Sequence, residues 1–180
     1  MKGIELITDR LKLRLIEVLD LESIHILHSL PKTDEFNTLG IPSNIEETQS
    51  IIKTWVAENE LNEIKNYTFA IEGKGSKQFM GLFGLKIGSK KFNRGEVWYK
   101  LHSDFWNQGF ATESLKAAID FGFTNLKLHR IEAGCAVANI GSIKVLEKAG
   151  MTREGIGRQL LPLKSGWSDN FQYSILETDE

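Results

Sequence analysis

Leu11, Leu13 and Leu15 alternate with Lys12 and Arg14, the period of a strand with one buried face. From Asp20 to Leu30 the period changes. Leu21, Ile24 and Leu27 return at helical spacing, with His28 beside Leu27, and Pro31 ends the run. Residues 32–44 contain Gly40 and Pro42 and read as a loop. Ser43 and Asn44 then precede Ile45-Glu46-Glu47, the start and acidic first turn of a second helix that reaches about Asn59. Tyr67, Phe69 and Ile71 restore the strand period. The turn Gly73-Lys74-Gly75-Ser76 separates them from a strand over Phe79 to Ile87, in which Gly81 and Gly84 mark weak points or a bulge. After a polar turn, the strand from Glu96 to Leu101 sets Val97, Tyr99 and Leu101 on one face and Glu96, Trp98 and Lys100 on the other.

The second half switches period as clearly. Leu115, Ala118, Ile119, Gly122 and Leu126 form a helical stripe directly after Trp106-Asn107-Gln108-Gly109-Phe110-Ala111-Thr112-Glu113. Ile131, Ala133, Cys135 and Val137 alternate as a strand. Asn139 caps a short helix that ends at Gly150, with Lys148 in its last turn. Strands near 151–160 and 167–177 close the chain. The reading is a mixed α/β (α+β) chain with seven strands and four helices, one domain over residues 1–180, without internal repeat, low-complexity segment or linker.

Composition narrows the class. Of 180 residues, 41% are apolar and 26% charged, an ordinary globular balance. A chain of this length buries roughly 70% of its unfolded surface. The one cysteine, Cys135, rules out an internal disulfide and a multi-cysteine zinc site, and no metal is expected. Twenty-two Lys and Arg against 24 Asp and Glu leave a net charge of −2, which argues against nucleic acid as a partner. No apolar run approaches the roughly 20 residues of a membrane span, and the first ten residues lack the apolar core of a signal peptide. A cytoplasmic protein with a small-molecule or protein partner is expected. The Gly73-Lys74-Gly75-Ser76 turn lacks the first glycine of a phosphate loop and no helical pattern follows it, so it reads as a hairpin turn.

The stretch at 106–112 carries more chemistry. A strand ends, Gly109 and Ala111 keep the turn small, and a helix starts at once. Small residues let ligand oxygens approach backbone N–H groups, and the helix N-terminus adds about half a positive charge. A phosphate or pyrophosphate fits such a turn, as does a plain tight turn with no ligand.

Gln108-Gly109-Phe110-Ala111-Thr112-Glu113 resembles the acetyl-CoA pyrophosphate loop of the GNAT superfamily of N-acetyltransferases. The chain is similar in particular to the RimJ/RimL type, which acetylates N-terminal amines of ribosomal proteins. Other stretches agree in the same order: Thr8-Asp9-Arg10-Leu11-Lys12-Leu13-Arg14, Glu96-Val97-Trp98-Tyr99, Leu128-His129-Arg130-Ile131-Glu132-Ala133, Asn139-Ile140-Gly141-Ser142, Val145 to Met151, and Gly166-Trp167-Ser168-Asp169. Trp106, where many GNAT enzymes carry arginine or glutamine, also matches this subfamily.

The resemblance implies the GNAT fold, a mixed and mostly antiparallel sheet of about seven strands flanked by about four helices. It implies acetyl-CoA as cosubstrate, with pantetheine between the family's fourth and fifth strands and the pyrophosphate on Asn107, Gln108, Gly109, Phe110, Ala111 and Thr112. Asn139 matches the position that touches the pantetheine arm. Glu96 matches the family's acid and is the candidate for proton removal. Ser142 matches the serine proposed to hydrogen-bond the thiolate, and Leu146 stands where many members carry a tyrosine acid. Trp55, Trp98 and Trp167, with Phe36, are candidate walls of an acceptor cleft between the 20–59 helices and the final hairpin. The acceptor implied is a protein N-terminus. A small amine is the alternative, with Glu46, Glu47, Glu58 and Glu60 compatible with a polycation, and a CoA-binding module without turnover is a third reading. A homodimer through an exposed C-terminal edge strand is also compatible. His102 and His129 read as structural or surface residues and Cys135 as core packing.

Overall fold

The computed structural model describes residues 3–179. Its strands are β1 (Glu5–Ile7), β2 (Leu11–Leu15), β3 (Asn66–Gly73), β4 (Phe79–Ile87), β5 (Arg94–Leu101), β6 (Arg130–Ala136), β7 (Thr152–Leu163) and β8 (Gly166–Leu176). Its helices are α1 (Leu21–Ser29), α2 (Pro31–Asp34), α3 (Ile45–Asn59), α4 (Phe110–Thr124) and α5 (Ile140–Lys148). The strands form one sheet of eight in the order β1-β2-β3-β4-β5-β6-β8-β7. Every neighbouring pair is antiparallel except β5 and β6, which run parallel and are joined through α4.

The sheet is covered on both faces. Tyr67, Phe69, Phe83, Leu85, Val97, Leu101, Ile131 and Ala133 pack against Leu115, Ala118, Ile119 and Phe121 of α4 and Leu146 of α5. The opposite face buries Ala70 and Leu82 under Ile24 and Leu27 of α1 and Ile52 of α3. The alternation read from the sequence therefore sorts β3 and β4 between two cores.

Three details go beyond the sequence pattern. β1 has three residues, too few to show a period, and forms by pairing Glu5 with Arg14 and Ile7 with Lys12. α2 overlaps the start of the stretch read as a loop, beginning one residue before it. Pro31 ends α1 as expected but also stands at the N1 position of α2, where its fixed φ suits a helix. Thr33 Oγ1 holds that turn by donating to Leu27 O at 2.7 Å. β7 extends to Leu163, beyond the end near 160, and is an edge strand. The described residues thus form eight strands and five α-helices, one more of each than the periodicity suggests.

The parallel pair creates an opening. β5 and β6 pair only over Arg94↔Arg130, Gly95↔Ile131, Glu96↔Glu132 and Val97↔Ala133. Beyond Val97, β5 stays with β4 as far as Leu101, and beyond Ala133, β6 stays with β8 as far as Ala136. The two strands thus separate into a wedge. Among the described residues, no helix is long and apolar enough to cross a membrane.

Candidate active site

The loop beyond β5 is held by side chains before it turns into α4. Trp106 Nε1–H donates to Leu101 O at 2.8 Å, and Gln108 Nε2–H donates to Asp104 O at 2.7 Å. Asn107 (φ +60°) and Gly109 (φ +82°) are both left-handed, the conformation that asparagine and glycine tolerate best. Gly109 is the N-cap of α4 and offers no side chain to the first turn. The backbone N–H groups from Gln108 to Thr112 therefore have no acceptor among the described residues. A run of free donors at a helix N-terminus, turned by two left-handed residues, fits a pyrophosphate. Gln108, Gly109, Phe110, Ala111 and Thr112 lie on this run, and Asn107 makes the turn that precedes it.

The α5 side of the wedge brings two predicted positions together. Asn139 caps α5, its Oδ1 accepting from Ser142 N–H at 3.0 Å. Ser142 Oγ lies 2.7 Å from Tyr99 Oη, whose strand has already parted from β6. Burial pushes the Tyr99 phenol well above its usual range, against the hydrogen bond to Ser142. Cys135 is buried beside Ser142, and burial pushes its thiol up to about 11, which fits packing rather than reactivity. Leu146 is a core residue. Tyr99 was not among the sequence candidates. Its one signal was alternation, which sets it on the Val97–Leu101 face.

The other face of β5 opens on a cavity of about 340 Å³. Trp55 and Glu58 from α3, Tyr67 and Thr68 from β3, and Glu96 and Trp98 from β5 line it. The Trp55 and Trp98 rings lie 5.7 Å apart at 43°. Gly84 makes this possible, because a Cβ there would lie 2.0 Å from Trp98 Nε1. Glu96 is exposed at the cavity, opposite Lys86 in the β4 register. Glu58 accepts from Asn66 Nδ2–H at 2.9 Å.

Two expected walls are elsewhere. Trp167 is 67% exposed on the final hairpin and does not line the cavity. Phe36 does not line it either, so the cavity is walled by α3 and β3–β5 without the hairpin. Of the four α3-region acids, Glu58 alone lines it, while Glu47 closes the α3 cap by accepting from Ser43 N–H at 2.7 Å. His102 Nδ1 accepts from Asp104 N–H, and exposed His129 meets Glu177.

A buried polar cluster lies next to the aromatic pair. Lys100, next on the Trp98 face, is 6% exposed, and its Nζ donates to His28 Nδ1 at 3.3 Å. The His28 ring centroid lies 6.1 Å from that of Trp55. Burial pushes Lys100 down to about 8 against the charge of Asp34. Burial, with the charges of Lys100 and His25, pushes His28 down to about 4. His28 Nε2 and Asp34 Oδ1 lack partners among the described residues. Sequence period places Lys100 on the right face but gives no sign that helices would cover it.

Residues 10–152 match the family model of the acetyltransferase (GNAT) domain, and the chain belongs to this family. It is 31% identical over 173 residues to the uncharacterized N-acetyltransferase YoaA of Bacillus subtilis, spanning 96% of this chain and 97% of that one. Ribosomal-protein-S5-alanine acetyltransferase from Vibrio fischeri has the same fold, with a TM-score of 0.84 at 22% identity over 98% of each chain. So does spermidine N-acetyltransferase from Vibrio cholerae, solved with CoA and spermine, with a TM-score of 0.84 at 23% identity over 96% of this chain and 98% of that one. The protein is an acetyltransferase that uses acetyl-CoA. Among the described residues, no group of three or more His, Cys, Asp or Glu is placed to hold a metal ion.

Proposed function

We propose that this enzyme is of the RimJ/RimL type and acetylates the N-terminal α-amine of a protein, a ribosomal protein being the leading case, by direct attack in a ternary complex. The observation that carries this reading is the wedge between β5 and β6, with the Tyr99–Ser142 pair on one face and the Glu96–Trp98–Trp55 cavity on the other. Acetyl-CoA supplies the activated acetyl group. The run from Asn107 to Thr112 holds its pyrophosphate, and Asn139 flanks the pantetheine arm. Glu96 takes the proton from the amine, directly or through water. Ser142, with Tyr99 behind it, donates to the departing thiolate.

A magnitude favours the α-amine. At pH 7, deprotonating a lysine of pKa about 10.4 costs roughly 4.6 kcal/mol, whereas an α-amine near 7.8 costs about 1 kcal/mol. One carboxylate base suits the cheaper proton. Glu58 beside Glu96 and two indole rings supports a second reading, a small polycationic amine held by charge and ring faces.

Incubation with acetyl-CoA and a pool of N-terminal peptides, polyamines and aminoglycosides, read by mass spectrometry, tests this. An acetyl group on a peptide α-amine is the expected product. Acetylation of small amines alone selects the second reading, and CoA binding with no product from any acceptor overturns both.

A further inference from the structure

The turn between β1 and β2 reaches across to the loop before α4, and no role has been assigned to it. Arg10 stands in this turn and makes five contacts there. Its backbone N–H donates to Glu113 Oε1 at 3.0 Å, and its Nε–H donates to Glu113 Oε2 at 2.7 Å. Its Nη2 lies 2.6 Å from the same Oε2, and its Nη1–H donates to Gln108 O at 3.1 Å. The guanidinium lies 4.5 Å over the Phe110 ring. Thr8 Oγ1 adds a bond to Glu113 Oε1 at 2.6 Å. The turn is itself anchored, since Lys74 donates from its backbone N–H to Arg10 O at 2.8 Å and from Nζ to Thr8 O at 3.0 Å.

Peptide geometry gives these contacts a consequence. In a trans peptide the C=O and the following N–H point in opposite directions. Holding Gln108 O toward Arg10 therefore aims the Gly109 N–H away from Arg10. Glu113 is the second part of the device. A carboxylate in the first turn of α4 would repel a bound pyrophosphate if left free. Here burial pushes its carboxyl up, but the bonds from Thr8 and from the Arg10 backbone and side chain outweigh that and hold it below the usual range. Its charge is consumed by the β1–β2 turn.

We propose that Arg10 is a positioning residue of the acetyl-CoA site: with Glu113 it fixes the Gln108–Gly109 peptide and the first turn of α4 so that their N–H groups receive the pyrophosphate. This rests on the reading of residues 107–112 as the pyrophosphate loop. The planar fork matters as well as the charge, because one guanidinium serves Gln108 O and Glu113 at once.

Amide NMR titrations of the full chain with CoA and, separately, with pantetheine test it, because pantetheine has no pyrophosphate. In the unsubstituted protein, CoA should shift the Gly109 to Thr112 amides and pantetheine should not. Arg10→Ala should raise the Kd for CoA about tenfold or more while the Kd for pantetheine stays within about twofold. Arg10→Lys should remain weakened, because it restores charge without the fork. Equal weakening for both probes, an unchanged Kd for CoA, or full rescue by lysine would each overturn the proposal. Amides 109–112 that do not respond to CoA in the unsubstituted protein would sink the loop reading itself, a failure visible before any variant is made. Glu113→Gln, which releases the guanidinium without touching Arg10, provides a second route to the same contrast.

Discussion

Tyr99 Oη lies 2.7 Å from Ser142 Oγ, joining β5 to the first turn of α5 where β5 and β6 have already separated. The contact links the two residues that face the wedge from its α5 side. Since burial keeps the phenol protonated, it can pass a hydrogen bond to Ser142 throughout the neutral range.

Tyr99→Phe removes that link and keeps the ring in the core. Thiol release should slow about tenfold, the size of one hydrogen bond to a developing charge, with CoA binding unchanged. Ser142→Ala should slow it by at least as much. The double variant should lose no more than the worse single one, because the two hydroxyls act as a unit. Additive losses in pre-steady-state thiol assays would show that they act separately.

Gly84→Ala tests the aromatic wall from beneath. A Cβ would lie 2.0 Å from Trp98 Nε1, so the indole must move off β4 and away from Trp55. Stability should fall by about 1–3 kcal/mol, as for other overpacked sites. The acceptor KM should rise while CoA affinity holds. Tryptophan fluorescence reports the displaced ring, and an unchanged spectrum would refute the packing argument.

Glu96 and Glu58 share a cavity but are assigned different roles. Glu96→Gln should lower kcat about 100-fold at neutral pH, within the usual range for loss of a general base. Glu58→Gln should raise KM for a cationic acceptor and leave kcat alone. Steady-state kinetics at fixed saturating acetyl-CoA separates the two effects. Equal kcat losses would make both part of the proton path.

The buried pair at the end of β5 sets a pH dependence. His28 in the fold sits near 4 against an ordinary 6.5, so the unfolded chain binds its proton first. The associated stability is complete above pH 6.5 and is lost as pH falls from 6.5 through 4, amounting to at most about 3 kcal/mol. Lys100 sits near 8 against 10.5, so stability rises again from pH 8 to 10.5. Urea denaturation across pH should show both rises. Lys100→Met should abolish the alkaline rise, because no other group of this cluster has its proton affinity lowered in that range.

Much of the chain was legible one segment at a time. Alternation over 11–15, 67–71 and 96–101 and the stripe from Leu115 to Leu126 were enough, because burial of one face imposes its period on local sequence. The loop at 106–112 was legible for a different reason. Its sharp turn rests on Asn107 and Gly109, residues that tolerate a left-handed backbone, and both are written locally. Asn139 was legible as a cap because a cap acts three residues along the chain.

What tertiary structure decided is everything that depends on which distant side chains meet. Arg10 and Glu113 are 103 positions apart, and Tyr99 and Ser142 are 43 apart. Neither pairing follows from the period of either segment, since it depends on strand order and register. The same holds for Trp98 lying over Gly84, and for Trp167 standing in solvent although it resembled a pocket wall. Lys100 is the sharpest case. On sequence alone it is an ordinary charged residue on a strand face. Its burial beside His28 and Asp34 exists only because α1 and α2 fold over the end of β5. Periodicity sets which side of an element faces inward, whereas the packing of whole elements sets what it meets there.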